Sequence, residues 1–164
     1  MRADDDLLPR LAADAAVTAG LLGSGRTLAW VSGMMLLMTG LVWLMGHPVR
    51  SPALVGAVVM AAGQGAFAQR VRFDAGIFRL WASRWRHPLE AAADLAAFDL
   101  RVGRQKPPAA SVEADLAERR CGAMRLLMWQ AACATLQLGL TVIALWPDRK
   151  GTRLNSSHAN ISYA

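Results

Sequence analysis

Three apolar stretches, residues 28–45, 52–68 and 126–146, contain no Asp, Glu, Lys or Arg. At about 1.5 Å of rise per helical residue, each covers most or all of a roughly 30 Å hydrocarbon core. A bilayer offers the backbone no water, so such a stretch must close its hydrogen bonds within itself as helix. The expected fold class is an all-α membrane protein. It has three transmembrane helices, arranged as a hairpin plus a long third helix, with amphipathic cytoplasmic helices between the second and third spans.

Breakers and charge divide the chain. Residues 1–26 form an N-terminal segment that opens on Asp4, Asp5 and Asp6 and holds a short helix after Pro9, ending at Gly23, Ser24 and Gly25. The first span covers 27–46, with Trp30 and Trp43 near its ends, where indoles favour the headgroup region. A turn at 47–51 containing His47, Pro48 and Arg50 sends the second span, 52–68, back beside the first. That span is rich in Ala, Gly and Val, and pairs such as Ala57/Ala61 allow a neighbouring helix to approach closely.

Residues 69–125 form a basic helical segment leading into the third span, 126–146. Phe73, Ile77, Trp81 and Trp85 recur every four residues, with Arg72, Arg79 and Arg86 on the other side. This pattern predicts a helix lying at the interface, its aromatics inward and its arginines on headgroup phosphates. The competing expectation is that the second span's helix simply continues. Arg72, Arg79, Arg84, Arg86, Trp81 and Trp85 are thus the candidate contacts to anionic lipid headgroups. Pro88 opens a further helix that Gly103 ends, and Ser111 caps a long final helix starting at Val112. Most carboxylates in the segment lie within helical reach of an arginine, such as Asp115 with Arg119 and Asp94 with Arg101.

Orientation follows from the same charges. Residues 69–125 carry eleven Lys/Arg, residues 1–26 three, and the turn only Arg50. The positive-inside rule places the N-terminus and the basic segment in the cytoplasm.

Inside the spans the polar side chains are few. Gln130, Gln137 and Thr141 share a face of the third span, and Gln64 lies in the second. Amides left facing lipid are costly, so these four are the candidate interhelical polar contacts, with Gln130 and Gln137 expected to face Gln64.

Residues 148–164 differ from the rest. Residues 1–147 contain no Asn and no Tyr, whereas the tail holds Asn155, Asn160 and Tyr163. Thr152 to His158 and Ile161 to Ala164 match a translated sequencing adapter codon by codon, with Ala159 and Asn160 as a barcode between them. The tail, counted from residue 147, resembles adapter read-through on a truncated metagenomic sequence, and the natural C-terminus then lies elsewhere. Without its three basic and one acidic residues the net charge falls from +6 to +4. The body is rich in Ala, Arg and Gly, which points to a bacterial source.

Cys121 and Cys133 form no CxxC pair, His47 and His87 are isolated, and no zinc spacing occurs. Nucleotide, hydrolase and metalloprotease signatures are missing too. No catalytic residue, metal ligand, cofactor or nucleic-acid partner is assigned. The sequence therefore predicts a small integral protein of the bacterial inner membrane that acts as a non-catalytic accessory, anchoring or interaction subunit. Its partners would be the bilayer, its anionic headgroups, and a second copy or another membrane protein. One alternative is a transporter component. The other is a lipid-headgroup enzyme using Arg84, Arg86 and His87 beside Asp74 or Asp99.

Overall fold

A computed structural model of the chain describes residues 2–45, 51–103 and 111–146. These form four helices: α1 (Arg2–Leu44), α2 (Ser51–Arg84), α3 (Pro88–Val102) and α4 (Val112–Leu145). α1, α2 and α4 are long and apolar enough to cross a membrane. The tail lies outside the described residues, as does the predicted turn up to residue 50.

Length shapes the architecture. α1 has 43 residues, and α2 and α4 have 34 each. These lengths correspond to about 64 Å and 51 Å, well beyond a hydrocarbon core of about 30 Å. Each helix therefore has an apolar half and a charged half in one continuous rod. Two expectations are corrected here. α1 does not stop at Gly23, Ser24 and Gly25, and the segment after residue 68 does not lie apart as an interfacial helix but continues α2 to Arg84.

The glycines are tolerated because one of them is used. Gly25 is buried in the helix, and a Cβ there would sit 2.7 Å from Gln130 Oε1 and 2.9 Å from Val71 Cγ1. Only a bare Cα admits both neighbours. Mid-helix glycine costs roughly 0.5–1 kcal/mol against alanine, and close three-helix packing offsets it.

One seam runs the length of each rod. Buried positions in α2 are Ala57, Ala61, Gln64, Ala68, Val71, Ala75, Phe78 and Trp81, and Trp85 just past its end continues them. In α4 they are Leu116, Arg119, Ala123, Gln130, Ala134, Gln137, Thr141 and Ala144. In α1 they include Leu11, Ala15, Thr18, Leu22, Gly25, Ser32 and Thr39. Steps of three and four dominate, the 3.5-residue period that keeps neighbouring helices in register. Asp14 meets Arg120, Gly25 meets Gln130 and Ser32 meets Gln137, so α1 and α4 run parallel at a near-constant offset. Gly56 approaches Leu140 and Gly63 approaches Cys133, so α2 runs antiparallel to α4.

The seam changes chemistry midway. In the charged half it holds Leu11, Leu22, Val71, Phe78, Trp81, Trp85, Leu95 and Leu116, a hydrophobic core of the kind water drives together. In the apolar half the seam is Ala, Gly, Ser, Thr and Gln, while Met34, Leu37, Met38, Val58, Leu136 and Val142 point outward. Lipid supplies no hydrophobic force between helices, so small residues and hydrogen bonds take over there.

α3 joins only the charged half. The Glu90 carboxylate reaches back to accept from the N–H groups of Arg86 and His87, at 2.9 and 3.3 Å. These bonds to Arg86 and then His87 hold its pKa below the ordinary carboxylate value. At the other end, Gly103 takes φ 70°, and its N–H closes back on Asp99 and Leu100. Ser111 starts α4 by accepting from the Ala114 N–H at 3.2 Å.

Candidate functional site

Two buried polar groupings carry what chemistry the described residues bring together. The first lies in the apolar half. Gln130 Nε2 donates to the Gly25 carbonyl at 2.6 Å. Gln137 Nε2 donates to the Ser32 carbonyl at 3.0 Å, and its Oε1 accepts from the Ser32 hydroxyl. Both amides are fully buried. The expectation that they would face Gln64 is corrected, because their partners lie on α1. The α4 face that carries them is turned toward the close α1 crossing made by Gly25 and Ser32, and the backbone carbonyls there offer a second lone pair. Gln64 and Thr141 are buried, but Gln64 Nε2, Thr141 Oγ1 and Gln130 Oε1 have no hydrogen-bond partner among the described residues.

The second grouping centres on Arg119, whose side chain is 5% exposed. Its Nη2 reaches Asp99 at 2.6 Å, Asp115 at 3.1 Å and the Leu95 carbonyl at 3.2 Å, and its Nε donates to Asp115 at 3.3 Å. The guanidinium carbon lies 5.1 Å from the Phe98 ring centre and 5.8 Å from that of Trp81. Phe98 meets Trp81 edge-on, and Trp81 stacks on Trp85 at 5.4 Å. One planar cation thus clasps α3 to α4 under aromatic side chains of α2 and α3. A buried guanidinium suits this role because its fork satisfies several acceptors at once.

Beside the clasp is a cavity of about 430 Å³. Its lining includes Arg70, Asp74, Phe78, Glu118 and Arg119, but not Arg84, Arg86 or His87. The residue set expected for headgroup chemistry is therefore not gathered there. Arg119 Nη1 and Asp99 Oδ1 are buried without a partner among the described residues. No group of three or more metal-ligating side chains occurs among the described residues.

The candidate headgroup contacts separate into three kinds. Trp81 and Trp85 are 4% and 6% exposed and belong to the core, which corrects their assignment to lipid. The inward stripe is Val71, Ala75, Phe78, Trp81 and Trp85, while Phe73 is 56% exposed. Trp85 instead donates to Asp94 at 3.2 Å, and Arg84 lies 3.8 Å from the same carboxylate. Asp94 thus serves α2 rather than the expected Arg101. Arg72, Arg79 and Arg86 are exposed. α2 is continuous from Arg72 to Arg84, so Arg79 lies about 10 Å further along the rod than Arg72, and Arg86 lies beyond the helix end.

Arg119 was not singled out by its sequence context beyond a surface pair with Asp115. Its signal was the three- and four-residue spacing from Leu116 to Ala123, which puts it on the buried seam. No family model, curated protein or solved structure matches this chain.

Proposed function

We propose that this chain is a non-catalytic subunit of a bacterial inner membrane, anchored by three spans and presenting a rigid helical bundle to a partner in the cytoplasm. The observation that supports this reading is the α3 surface. Leu89 and Leu100 are 82% and 85% exposed. They lie eleven residues apart, and so within about 20° on one side of the helix. With the exposed Ala93 and Ala96 between them, the two leucines make an apolar strip on the solvent side of α3, which suits a protein contact.

Charge distribution supports the orientation. The charged halves of α1, α2 and α4 lie at one end of the bundle with α3, and the excess of Arg there favours the cytoplasmic side. Interior ionisable groups such as Arg119 and Asp99 are engaged in holding helices together, which supports a structural rather than a catalytic role.

The test is native gel electrophoresis of membranes dissolved in mild detergent. An interaction subunit migrates in a discrete complex larger than its own oligomer, and Leu89→Glu with Leu100→Glu releases it. A chain that migrates alone, with unchanged mobility in the double variant, contradicts the proposal.

A transporter component is the second reading, supported by the unpartnered Gln64, Thr141 and Gln130 atoms within the spans. Solute flux in liposomes holding the purified chain, abolished by Gln64→Leu, would favour it over the first.

A further inference from the structure

The contact that brings α1 against α2 has a second consequence on its outer side. Val71 packs on Gly25. The next residue on each helix is an exposed arginine, Arg26 on α1 and Arg72 on α2. The two guanidinium-bearing side chains line one cleft of about 460 Å³, together with Ala29 and Trp30. No carboxylate lines it, and neither arginine has a hydrogen-bond or ion-pair partner among the described residues. Two positive charges thus share a concave site with nothing to balance them.

Depth indicates which class of anion the site suits. Arg26 is the last charged residue before the apolar stretch of α1, and Trp30 follows one turn further in, 66% exposed. From Arg26 to Met45 the rod covers about 28 Å, close to a hydrocarbon thickness. The arginines therefore stand at the headgroup level, with the indole one turn deeper, at the inner edge of the same interfacial layer where amphipathic rings settle. Ala29 leaves room between them.

We propose that this α1–α2 cleft binds one anionic phospholipid, whose phosphate bridges Arg26 and Arg72 and whose first acyl carbons lie over Ala29 against Trp30. The site rests on the membrane reading above. A guanidinium fork matches phosphate oxygens in pairs, and two forks from antiparallel helices fix both position and orientation. A free anion would use the arginines alone, whereas a lipid also uses Trp30. The lipid also ties α1 to α2 where each helix leaves the apolar half.

The test begins with carbonate extraction of membranes. A chain that washes off overturns the membrane reading and the site together. The retained protein is then purified whole and titrated with phosphatidylglycerol or phosphatidylcholine under native mass spectrometry. The expected result is one phosphatidylglycerol bound in preference to phosphatidylcholine. At about 1 kcal/mol per arginine, Arg26→Gln or Arg72→Gln weakens it about 5-fold, and the double variant about 30-fold. Trp30→Ala also weakens the lipid, and Arg79→Gln leaves it unchanged. Equal binding of both lipids, equal loss in Arg79→Gln, or full displacement by millimolar inorganic phosphate would overturn the lipid site while leaving the membrane reading intact.

Discussion

Gln137 and Ser32 are joined twice across the α1–α4 contact: the amide nitrogen donates to the Ser32 carbonyl at 3.0 Å, and the amide oxygen accepts from the Ser32 hydroxyl. One heptad earlier, Gln130 holds the Gly25 carbonyl. Polar side chains thus set the register of two parallel helices where hydrophobic burial cannot.

Changing Gln130 and Gln137 to Leu together removes these bonds. At roughly 0.6–1 kcal/mol for each of the three interhelical bonds in a bilayer, the loss is about 2–3 kcal/mol. Reversible unfolding in bicelles measures it. Ser32→Ala alone should show a fraction of the effect, because the bond to its carbonyl persists.

Gly23 and Gly25 should respond to alanine with opposite signs. Nothing lies within 4 Å of a Cβ at Gly23, so Gly23→Ala gains roughly 0.5–1 kcal/mol of helix stability. Gly25→Ala meets Gln130 and Val71 at under 3 Å, and overpacking there costs about 1–3 kcal/mol. Thermal unfolding of the two variants side by side checks the sign of each.

Arg119→Met leaves Asp99 and Asp115 beside an apolar side chain. Breaking a buried pair from one side costs about 3–5 kcal/mol. The variant should expose α3 itself to protease, and pairing it with Asp99→Leu should restore much of the protection. Equal protease resistance in Arg119→Met and the parent chain would show that the clasp does not hold α3.

Glu90 gives a pH dependence. Its lowered pKa means that its contribution to the start of α3 is fully present above the unfolded carboxylate value, about 4.3. That contribution is lost as pH falls through the lower folded value. Amide exchange at the start of α3, corrected for intrinsic rates, should lose protection at the acidic end. Glu90→Gln keeps an acceptor but cannot titrate, so this dependence should flatten.

Much of this was legible in the residues because local chemistry decides it. Pro88, Gly103 and Ser111 mark helix ends by mechanisms that need no neighbour. The apolar stretches likewise reveal helices long enough to span. What local pattern could not show is how far each rod runs. Gly23, Ser24 and Gly25 look like a stop until Val71 and Gln130 are seen against Gly25. Phe73 looks as inward-facing as Trp81 until the 3.5-residue seam shows that Val71, Ala75 and Phe78 carry the contact. The amides of α4 were identifiable as buried, but their partners on α1 depended on the packing of three helices.

The central claim is that α2 passes from the bilayer into the charged half of the bundle, proposed to be cytoplasmic, without turning along the surface. Cysteine accessibility tests it in a Cys121→Ser, Cys133→Ala background. Val58→Cys and Leu80→Cys both place an exposed position on α2, one in each half. The account predicts that an impermeant maleimide labels Leu80→Cys from the cytoplasmic side of inverted vesicles, does not label it in intact spheroplasts, and labels Val58→Cys from neither side. Protection of Leu80→Cys in inverted vesicles, or its labelling in spheroplasts, would contradict it.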